Sequence, residues 1–394
     1  MGRPGADRRE GRHDIIRPML APEKIDAPVW VDSIPAMEAM AGDLSARERV
    51  AVDTESNSLH AYREQVCLVQ FSTVERDYLV DPLALPGLAT VGGVLSDARI
   101  EKVFHAAEYD LICLRRDFDF RVRTLFDTAH AARVLGNSAA GLDSLLAGKF
   151  GIELDKRQQK ADWGRRPLTA EQIHYARLDT HYLLQLREVL GAELVEAGRW
   201  DLALEDFHRM EDVTVPRIRT DDDVLRRLGA RMQLSARELT VLGELLAWRE
   251  GEASKLNRPV YKVVNDEILG AIARAAPAEA DGLPILGLSP RQVSIWGEAI
   301  LAAVGRGMVL PPVQLKPGGP RDDAMIARVE KLKQWRKAAA KELGVESDIA
   351  LPRSTLLDVA RRAPRTGEEL AEVMHDSPTR LKQYGEQILK ALSG

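Results

Sequence analysis

The sequence predicts one α/β domain followed by two small all-α domains. Its 394 residues are too many for a single ordinary core, because domains average roughly 150 residues. Short runs rich in β-branched and aromatic residues occur in the first half, where they give way to helical patterns. The second half contains almost only helical patterns, and part of it is repeated.

The composition excludes several classes of protein. Its 45% apolar and 29% charged residues are typical of soluble globular chains. No apolar run approaches the ~18 residues that span a bilayer, and the N-terminus lacks a secretory signal, so we expect a cytoplasmic protein with no membrane contact. Cys67 and Cys113 both lie in apolar runs, which favours neither a disulfide framework nor a cysteine zinc site. The net charge of -5 argues against nucleic-acid binding through a bulk positive field.

The first part of the chain divides into a predicted flexible tail, 1–27, and a predicted α/β domain, 28–210. The strand patterns are RVAVDTE, VCLVQFS, DYLVD, IEKVFHA and RTLFD. LATVGGVLSD and AEYDLICLRRDF are helical patterns among these strands. TAHAARVLG, GLDSLLAGKFG and the long run from TAEQIHYA to LVEAG are helical patterns after them.

The helical part divides into one domain over 211–304, a Pro- and Gly-rich linker over 305–321 and a second domain over 322–394. Aligning Trp248 with Trp335, 87 positions apart, also places Leu269 on Leu356 without a gap. This offset is too long for a solenoid repeat, so we interpret the two segments as copies of one small helical domain.

Three separated segments each contribute acidic side chains. Asp53 and Glu55 lie two apart in a strand pattern and share a face, whereas Tyr175 and Asp179 lie four apart in a helical pattern and are neighbours. Asp110 stands in an otherwise apolar helical pattern. Carboxylates crowded together without a cation repel one another, and Mg²⁺ and Mn²⁺ prefer oxygen ligands. The combination therefore predicts a site for two divalent metal ions.

Two such ions can bind the attacking and leaving oxygens of a phosphoryl displacement, so phosphodiester hydrolysis is the predicted reaction. A tyrosine of ordinary pKa ~10 is too weak a base to act unaided, so Tyr175 is expected to orient the attacking water. His174, five residues before Asp179, is the alternative. We favour Tyr175 because four residues rotate a helix by about 40° net, and five by about 140°.

With these residues in place, the chain resembles the ribonuclease D family of 3′-to-5′ exoribonucleases in the DEDD superfamily. VAVDTES resembles the first exonuclease motif, FHAAEYDLICL the second, and YARLDTHYLL the third in its tyrosine form. LDKRQQKADWGRRPLTAEQIHYA resembles the segment before the third motif. The two repeats resemble helicase and ribonuclease D C-terminal (HRDC) domains, so the resemblance covers about 28–392. It implies a ribonuclease H-like exonuclease domain, with a mixed sheet flanked by helices, and two HRDC-like domains.

The resemblance also implies roles. Asp53, Glu55 and Asp179 would hold one metal ion, and Asp53 and Asp110 the second, partly through water. Glu55 and Tyr175 would position the water, and nucleoside 5′-monophosphates would leave one at a time. The family's associated substrates are transfer RNA precursors. Histidine at the position of His174 belongs to a sister branch. We expect RNA as the partner and a monomeric enzyme.

A basic segment before the third motif is the predicted RNA contact. Its positive side chains can bind phosphates, and its tryptophan either offers a stacking face or packs inward. The candidates are Lys156, Arg157, Lys160, Trp163, Arg165 and Arg166.

Four further residues are possible site residues. His105 is expected near the site as a hydrogen-bonded residue rather than a ligand, and Gln70 would face the substrate if its side of the strand is open. Arg361 and Arg362 are candidate phosphate contacts in the second helical domain. A DNA exonuclease remains an alternative, because only contacts to the 2′-hydroxyl distinguish the two backbones. An RNA-binding adaptor without activity is disfavoured, because all four carboxylates and the tyrosine are present.

Overall fold

A computed structural model describes residues 26–217, 221–313 and 322–393. Residues 1–25 of the predicted tail lie outside the described part of the chain. Within it, one six-stranded sheet has the order β1-β4-β3-β2-β5-β6. The strands are β1 Val29–Val31, β2 Arg49–Ser56, β3 Val66–Ser72, β4 Asp77–Val80, β5 Glu101–Phe104 and β6 Leu125–Asp127.

The sheet is mixed, as predicted. Strand β3 runs antiparallel to both β2 and β4, whereas the pairs β1 with β4, β2 with β5 and β5 with β6 are parallel. Helices cover both faces, which explains why every residue of β3 is buried. The helices of this region are α1 Ile34–Ser45, α2 Ala89–Ser96, α3 Glu108–Phe118, α4 Thr128–Val134, α5 Leu142–Phe150, α6 Ala170–His181, α7 Leu183–Glu196 and α8 Trp200–Glu211.

Strand β2 alternates between two cores. Val50 and Val52 pack with the layer of α1, α2 and α3, whereas Ala51 packs with α4, α7 and α8. Asp53 and Glu55 continue the face of Ala51, because successive strand side chains point to opposite sides. The sheet therefore presents both carboxylates to its second helical layer.

Two helical segments follow in the rest of the described chain. The first contains α9 Asp221–Met232, α10 Ala236–Leu256, α11 Val260–Val263, α12 Asp266–Ala275 and α13 Pro290–Val309. The second contains α14 Asp323–Leu343, α15 Ser347–Ala350, α16 Arg353–Arg362, α17 Gly367–Val373 and α18 Pro378–Ser393. None of the helices in the described ranges combines the length and apolar character that a membrane span requires.

The two segments share interactions at equivalent positions. Arg249 donates to the carbonyl of Val264 at 2.9 Å, and its counterpart Arg336 donates to the carbonyl of Leu351 at 3.1 Å. Each of these four residues lies 87 positions from its equivalent, the offset of the sequence repeat. The repeat therefore preserves a contact between a long helix and the segment that follows it.

The predicted linker, 305–321, begins too early in the sequence. Residues 305–309 form the last part of α13. Gly307 serves close packing there, because a Cβ atom would lie 2.6 Å from the Cα of Val241 in α10. Residues 314–321 of the predicted linker lie outside the described part of the chain.

The second helical segment packs against the α/β domain through buried charges. Arg380, 0% exposed, donates to Glu205 of α8 and, at 2.6 Å, to Asp206. His130 Nε2 lies 2.7 Å from the same Asp206 carboxylate. Ile349 completes the apolar core beside α8. A continuous packed interface thus joins the two parts of the chain.

Candidate active site

Strand β2 and helix α6 bring three acids together. Asp53 and Glu55 lie at the end of β2, and the pairing with β3 changes register immediately after Glu55. Asp179 lies in the last turns of α6. Single carboxylate oxygens of Asp53, Glu55 and Asp179 all lie within 4.8 Å of one another. The predicted convergence of the first and third motifs is therefore present in the structure.

Two sets of contacts hold helix α6 over the sheet: a capping box at its N-terminus and hydrogen bonds from its buried face. A capping box joins Thr169 and Gln172. The backbone N–H of Gln172 donates to the Thr169 hydroxyl oxygen, and the backbone N–H of Thr169 donates to the Gln172 side-chain oxygen. Farther along, the Thr180 and Ser72 hydroxyls lie 2.7 Å apart, and Arg177 donates to Asp77 at 2.7 Å. These contacts set the position of the turns that carry Tyr175 and Asp179.

Helix α3 supplies the fourth acid. Asp110 is buried in its first turn and accepts a hydrogen bond from the Thr54 hydroxyl, which lies between Asp53 and Glu55 on β2. Asp110 is not one of the three acids whose oxygens converge, but its charge raises the pKa of Asp53, Glu55 and Asp179. Asp110 therefore lies beside the cluster, close enough for its charge to act on the other three carboxyl groups.

Asp127 supports this arrangement and was not predicted. Its carboxylate accepts from the amides of Ala106 and Ala107 at 3.2 and 2.7 Å, immediately before α3, and from the amide of His130 in α4. Asp127 thus ties the starts of α3 and α4 together. The only signal in the sequence is its position as an N-cap before TAHAARV, and the tie to α3 depends on tertiary structure.

The four carboxyl groups have strongly perturbed pKa values. Burial, together with the neighbouring acids, raises the pKa of Asp53 and of Glu55 well above their usual values. Burial is also the largest cause that raises the pKa of Asp110 to about 7 and that of Asp179 to about 8. This is the pattern expected where a bound cation would favour the ionised forms.

Tyr175 lies beside Asp179, as its four-residue spacing predicts. Burial and the nearby acids raise the pKa of its hydroxyl far above the usual value, so this hydroxyl stays protonated at neutral pH. Its hydrogen bond to Asp179 offsets part of the increase that burial causes in the pKa of that carboxyl group. His174 is exposed and, with Tyr175, lines a cavity of about 430 Å³ next to Asp179. Of these two residues, Tyr175 interacts with the acids.

Two residues predicted to contact RNA have structural roles. Trp163 is 1% exposed and packs with Leu68 and Ala176 beneath α6, so the stacking alternative is wrong and the inward alternative holds. Arg166 donates to both carboxylate oxygens of Asp81 and to backbone carbonyls of neighbouring segments. Its guanidinium is therefore occupied by contacts within the protein and is not available to phosphates.

The other four basic candidates lie at the surface. Lys156 pairs with Asp143, Arg157 with Asp155 and Arg165 with Asp162. Such exposed ion pairs contribute little to stability, so they do not tie these side chains firmly to the protein surface. Lys160 is exposed, and its backbone carbonyl lies 3.0 Å from His60 Nε2 in the loop after β2.

The remaining candidates differ in accessibility. His105 Nδ1 lies 2.9 Å from the Thr128 hydroxyl, and burial lowers the pKa of its imidazole. Gln70 is 0% exposed because α6 covers its side of the sheet, so the condition under which it would face the substrate is not met. Arg361 and Arg362 are exposed at the end of α16, where Arg361 pairs with Asp358.

Comparisons with known proteins identify the families of the domains. Residues 28–195 match the 3′-5′ exonuclease family model, and residues 238–304 and 325–392 each match the HRDC domain. The curated ribonuclease D of Nitrobacter hamburgensis is 33% identical over 354 residues, which cover 88% of this chain and 90% of that protein. The exosome complex exonuclease RRP6 of Saccharomyces cerevisiae is 41% identical over 173 residues, 44% of this chain and 24% of that protein.

A solved structure extends the likeness to the fold. Escherichia coli RNase D, described as an exoribonuclease involved in structured RNA processing, matches with a TM-score of 0.66 and 26% identity. The match covers 91% of this chain and 99% of that one. The predicted fold class, an exonuclease domain followed by two HRDC domains, is thereby confirmed. An exonuclease domain of this type also implies the use of divalent metal. The chain belongs to the ribonuclease D family of 3′-to-5′ exoribonucleases.

Proposed function

We propose that this enzyme hydrolyses RNA from the 3′ end with two divalent metal ions and releases nucleoside 5′-monophosphates. The observation that carries the proposal is the convergence of the Asp53, Glu55 and Asp179 oxygens within 4.8 Å, with Asp110 beside them. This donor set fits Mg²⁺ or Mn²⁺, because it consists of oxygen atoms alone. Asp53, Glu55 and Asp179 would hold one ion, and Asp53 and Asp110 the other, partly through water.

When bound, the ions would polarise the scissile phosphate and would make a water molecule nucleophilic near neutral pH. The protein supplies orientation. Glu55 accepts a hydrogen bond from the attacking water, and the Tyr175 hydroxyl aligns it. Because the raised pKa of Tyr175 keeps its hydroxyl protonated, this side chain acts as a hydrogen-bonding group and not as the base.

We propose structured RNA, including the 3′ ends of transfer RNA precursors, as the substrate. The E. coli relative is described as acting in structured RNA processing. In this chain the first HRDC domain touches the loop that follows Glu55: the Tyr62 hydroxyl donates to Glu250 at 2.7 Å, and the Tyr62 amide donates to Asn257 at 3.2 Å. RNA held by that domain would therefore lie close to the acids. The cytoplasmic, monomeric state remains a prediction.

The proposed substrate class is tested with three 5′-labelled oligonucleotides: a precursor with a folded body and a 3′ trailer, the trailer alone, and the trailer as DNA. We expect the wild type to trim the folded precursor and to spare the DNA. Replacing Arg361 and Arg362 together by Ala should slow trimming of the precursor more than of the trailer, because two phosphate contacts are lost.

Arg99→Ala is the control, because Arg99 is an exposed arginine of the exonuclease domain that pairs only with the neighbouring Asp97 among the described contacts. It should leave all three rates unchanged. Equal losses on precursor and trailer in the Arg361 and Arg362 variant would contradict phosphate contacts from these two arginines to the folded body of the precursor. Faster loss of the DNA would instead support a DNA exonuclease.

A further inference from the structure

Gln70 is a polar side chain in an unusual place. Strands β2 and β3 pair so that Gln70 lies directly opposite Asp53. Residues opposed in an antiparallel pair point to the same face, with Cβ atoms roughly 4.5–5.5 Å apart. The side-chain amide of Gln70 thus leaves the sheet beside the Asp53 carboxylate.

Helix α6 covers Gln70. Two residues before it, Leu68 packs with Ala176 of α6, and two residues after it, Ser72 contacts Thr180 of the same helix. Side chains two apart on a strand share a face, so Gln70 lies beneath the α6 turns between these contacts. Asp179 belongs to those turns. The amide is thereby enclosed between the sheet and the helix that completes the acidic site.

The enclosed amide is energetically costly. Gln70 is 0% exposed, and among the described residues neither its Oε1 nor its Nε2 has a hydrogen-bond partner. A buried polar group without a partner costs about 1–3 kcal/mol. A methionine or leucine would fill similar space without that cost. The amide is therefore explained best by a partner that it gains when the site is loaded.

The residues that pair with Gln70 on the two adjacent strands indicate which group that partner is. On its other side Gln70 pairs with Leu79 of β4, which offers no polar side-chain atom. Asp53 on β2 offers carboxylate oxygens, which only accept hydrogen bonds when ionised. An amide Nε2–H group can donate to such an oxygen and leave the other lone pairs for cations.

We propose that Gln70 is a positioning residue: its Nε2 donates to Asp53 and orients that carboxylate for the divalent ions. Hydrogen-bond partners of metal ligands fix ligand geometry in this way, and their loss typically weakens metal binding about 10–100-fold. The proposal rests on the metal role of the acids set out above.

The test measures Mn²⁺ affinity by calorimetry on the full-length protein without RNA. Gln70→Met keeps the volume and removes the donor, and Gln70→Leu repeats the change with a different shape. Leu79→Met is the matched control, because Leu79 is 1% exposed and pairs with Gln70 on the side away from Asp53. The metal-free Tm of each variant is recorded in parallel.

We expect both Gln70 variants to bind Mn²⁺ about 10–100-fold more weakly, with a metal-free Tm no lower than that of the wild type, since an unpaired amide has been removed. Leu79→Met should keep the wild-type affinity. Unchanged affinity in both Gln70 variants would overturn the proposal. So would an equal loss in Leu79→Met, or Gln70 variants that fail to fold.

A separate assay distinguishes failure of the proposed reaction. Wild-type protein that binds Mn²⁺ but leaves 5′-labelled RNA intact would contradict the exoribonuclease reaction, and the comparison of Mn²⁺ affinities would still decide the role of Gln70. Absence of Mn²⁺ binding in the wild type would overturn both.

Discussion

At the scale of single residues, Tyr175 and His174 are neighbours on α6, but their surroundings predict different roles for them. The Tyr175 hydroxyl interacts with Asp179, whereas His174 is exposed and lines the adjacent cavity. We expect Tyr175→Phe to reduce turnover by about 10²-fold or more, the order of effect of a catalytic hydrogen-bonding group, with little change in KM.

His174→Ala is the matched control, since it removes a polar ring one position away. Its turnover should remain within about twofold of the wild type, measured as release of mononucleotides from single-stranded RNA. Comparable turnover in Tyr175→Phe and the wild type would overturn the assignment. A severe loss in His174→Ala would instead favour the histidine branch.

Spacing within an element predicted which side chains share a face, but the sequence did not show which side chains other elements would cover. The two-residue step from Asp53 and the four-residue step from Tyr175 hold in any strand or helix. In contrast, the polar local segment left open whether Trp163 packs inward, and it favoured a phosphate contact for Arg166. Trp163 is buried against residues of β3 and β4, and Arg166 is held by Cys67 of β3 and by Asp81, which lie 99 and 85 positions earlier in the chain.

At the scale of elements, the start of α6 controls where Tyr175 and Asp179 lie. The capping box between Thr169 and Gln172 satisfies two backbone amides at that start. We expect Thr169→Ala to cost about 1 kcal/mol of unfolding free energy and to reduce turnover several-fold, since the first turns of α6 lose a constraint.

Ser235→Ala provides the comparison, because Ser235 and Glu238 form the same capping box at the start of α10 in the first HRDC domain. It should cost a similar free energy in chemical unfolding but leave turnover on short single-stranded RNA unchanged. A loss of turnover as large in Ser235→Ala would show that general destabilisation, and not the position of α6, explains the result for Thr169.

Long strands with a clear residue pattern were predicted, whereas a short strand and a break between two helices were missed. β2 and β3 are long, rich in β-branched residues and present as predicted. β1 has only three residues, too few to show alternation, and pairs in parallel with the distant β4. The predicted long helix breaks at Tyr182, which ends α6 and begins α7. No glycine or proline marks this break, so the pattern continued through it.

At the scale of the whole molecule, Arg380 joins the second HRDC domain to α8. Its guanidinium is fully buried between Glu205 and Asp206. Removing one partner of a buried ion pair leaves uncompensated charge and typically costs about 3–5 kcal/mol. We expect Arg380→Met to lose that much in urea unfolding, or to release the second HRDC domain in a separate earlier transition.

Arg133→Ala is the control at the same interface, because Arg133 pairs with Glu346 and Asp348 where the side chains are partly exposed. It should cost no more than about 1 kcal/mol. A cost for Arg380→Met as small as that for Arg133→Ala would contradict a central role for the buried network.

The same network predicts a dependence of stability on pH. Burial alone would raise the pKa of Asp206, but hydrogen bonds from His130 and Arg380 lower it to about 2. Since the folded pKa lies below the unfolded value of 3.8, this carboxylate stabilises the protein above that value. The contribution, roughly 2 kcal/mol, disappears as the pH falls through about 2.

The measurement compares urea unfolding of the wild type and Asp206→Asn between about pH 5 and pH 2. The wild type should be more stable at the upper end, and the difference should shrink as the pH falls. A difference that stays constant over this range would contradict the low pKa of Asp206.

The division of the molecule into three parts was predictable because the repeat preserves core positions such as Leu269 and Leu356. The contact of the second HRDC domain with α8 could not be predicted from the sequence. Its anchors, Arg380 and Glu205, lie 175 positions apart and have no shared pattern in the sequence. Charged residues are also expected at surfaces, so only the structure identifies them as buried.

The most direct test of the central claim is the degradation of a 5′-labelled RNA by the wild type and by Asp53→Asn, with Mn²⁺ and with a chelator. Asp53 contributes to the acid cluster and lies next to Thr54, which contacts Asp110. We predict a ladder that shortens from the 3′ end, with nucleoside 5′-monophosphates as products, for the wild type with metal alone. Internal cleavage, products with 3′-phosphates, or equal activity in Asp53→Asn or in chelator would contradict it.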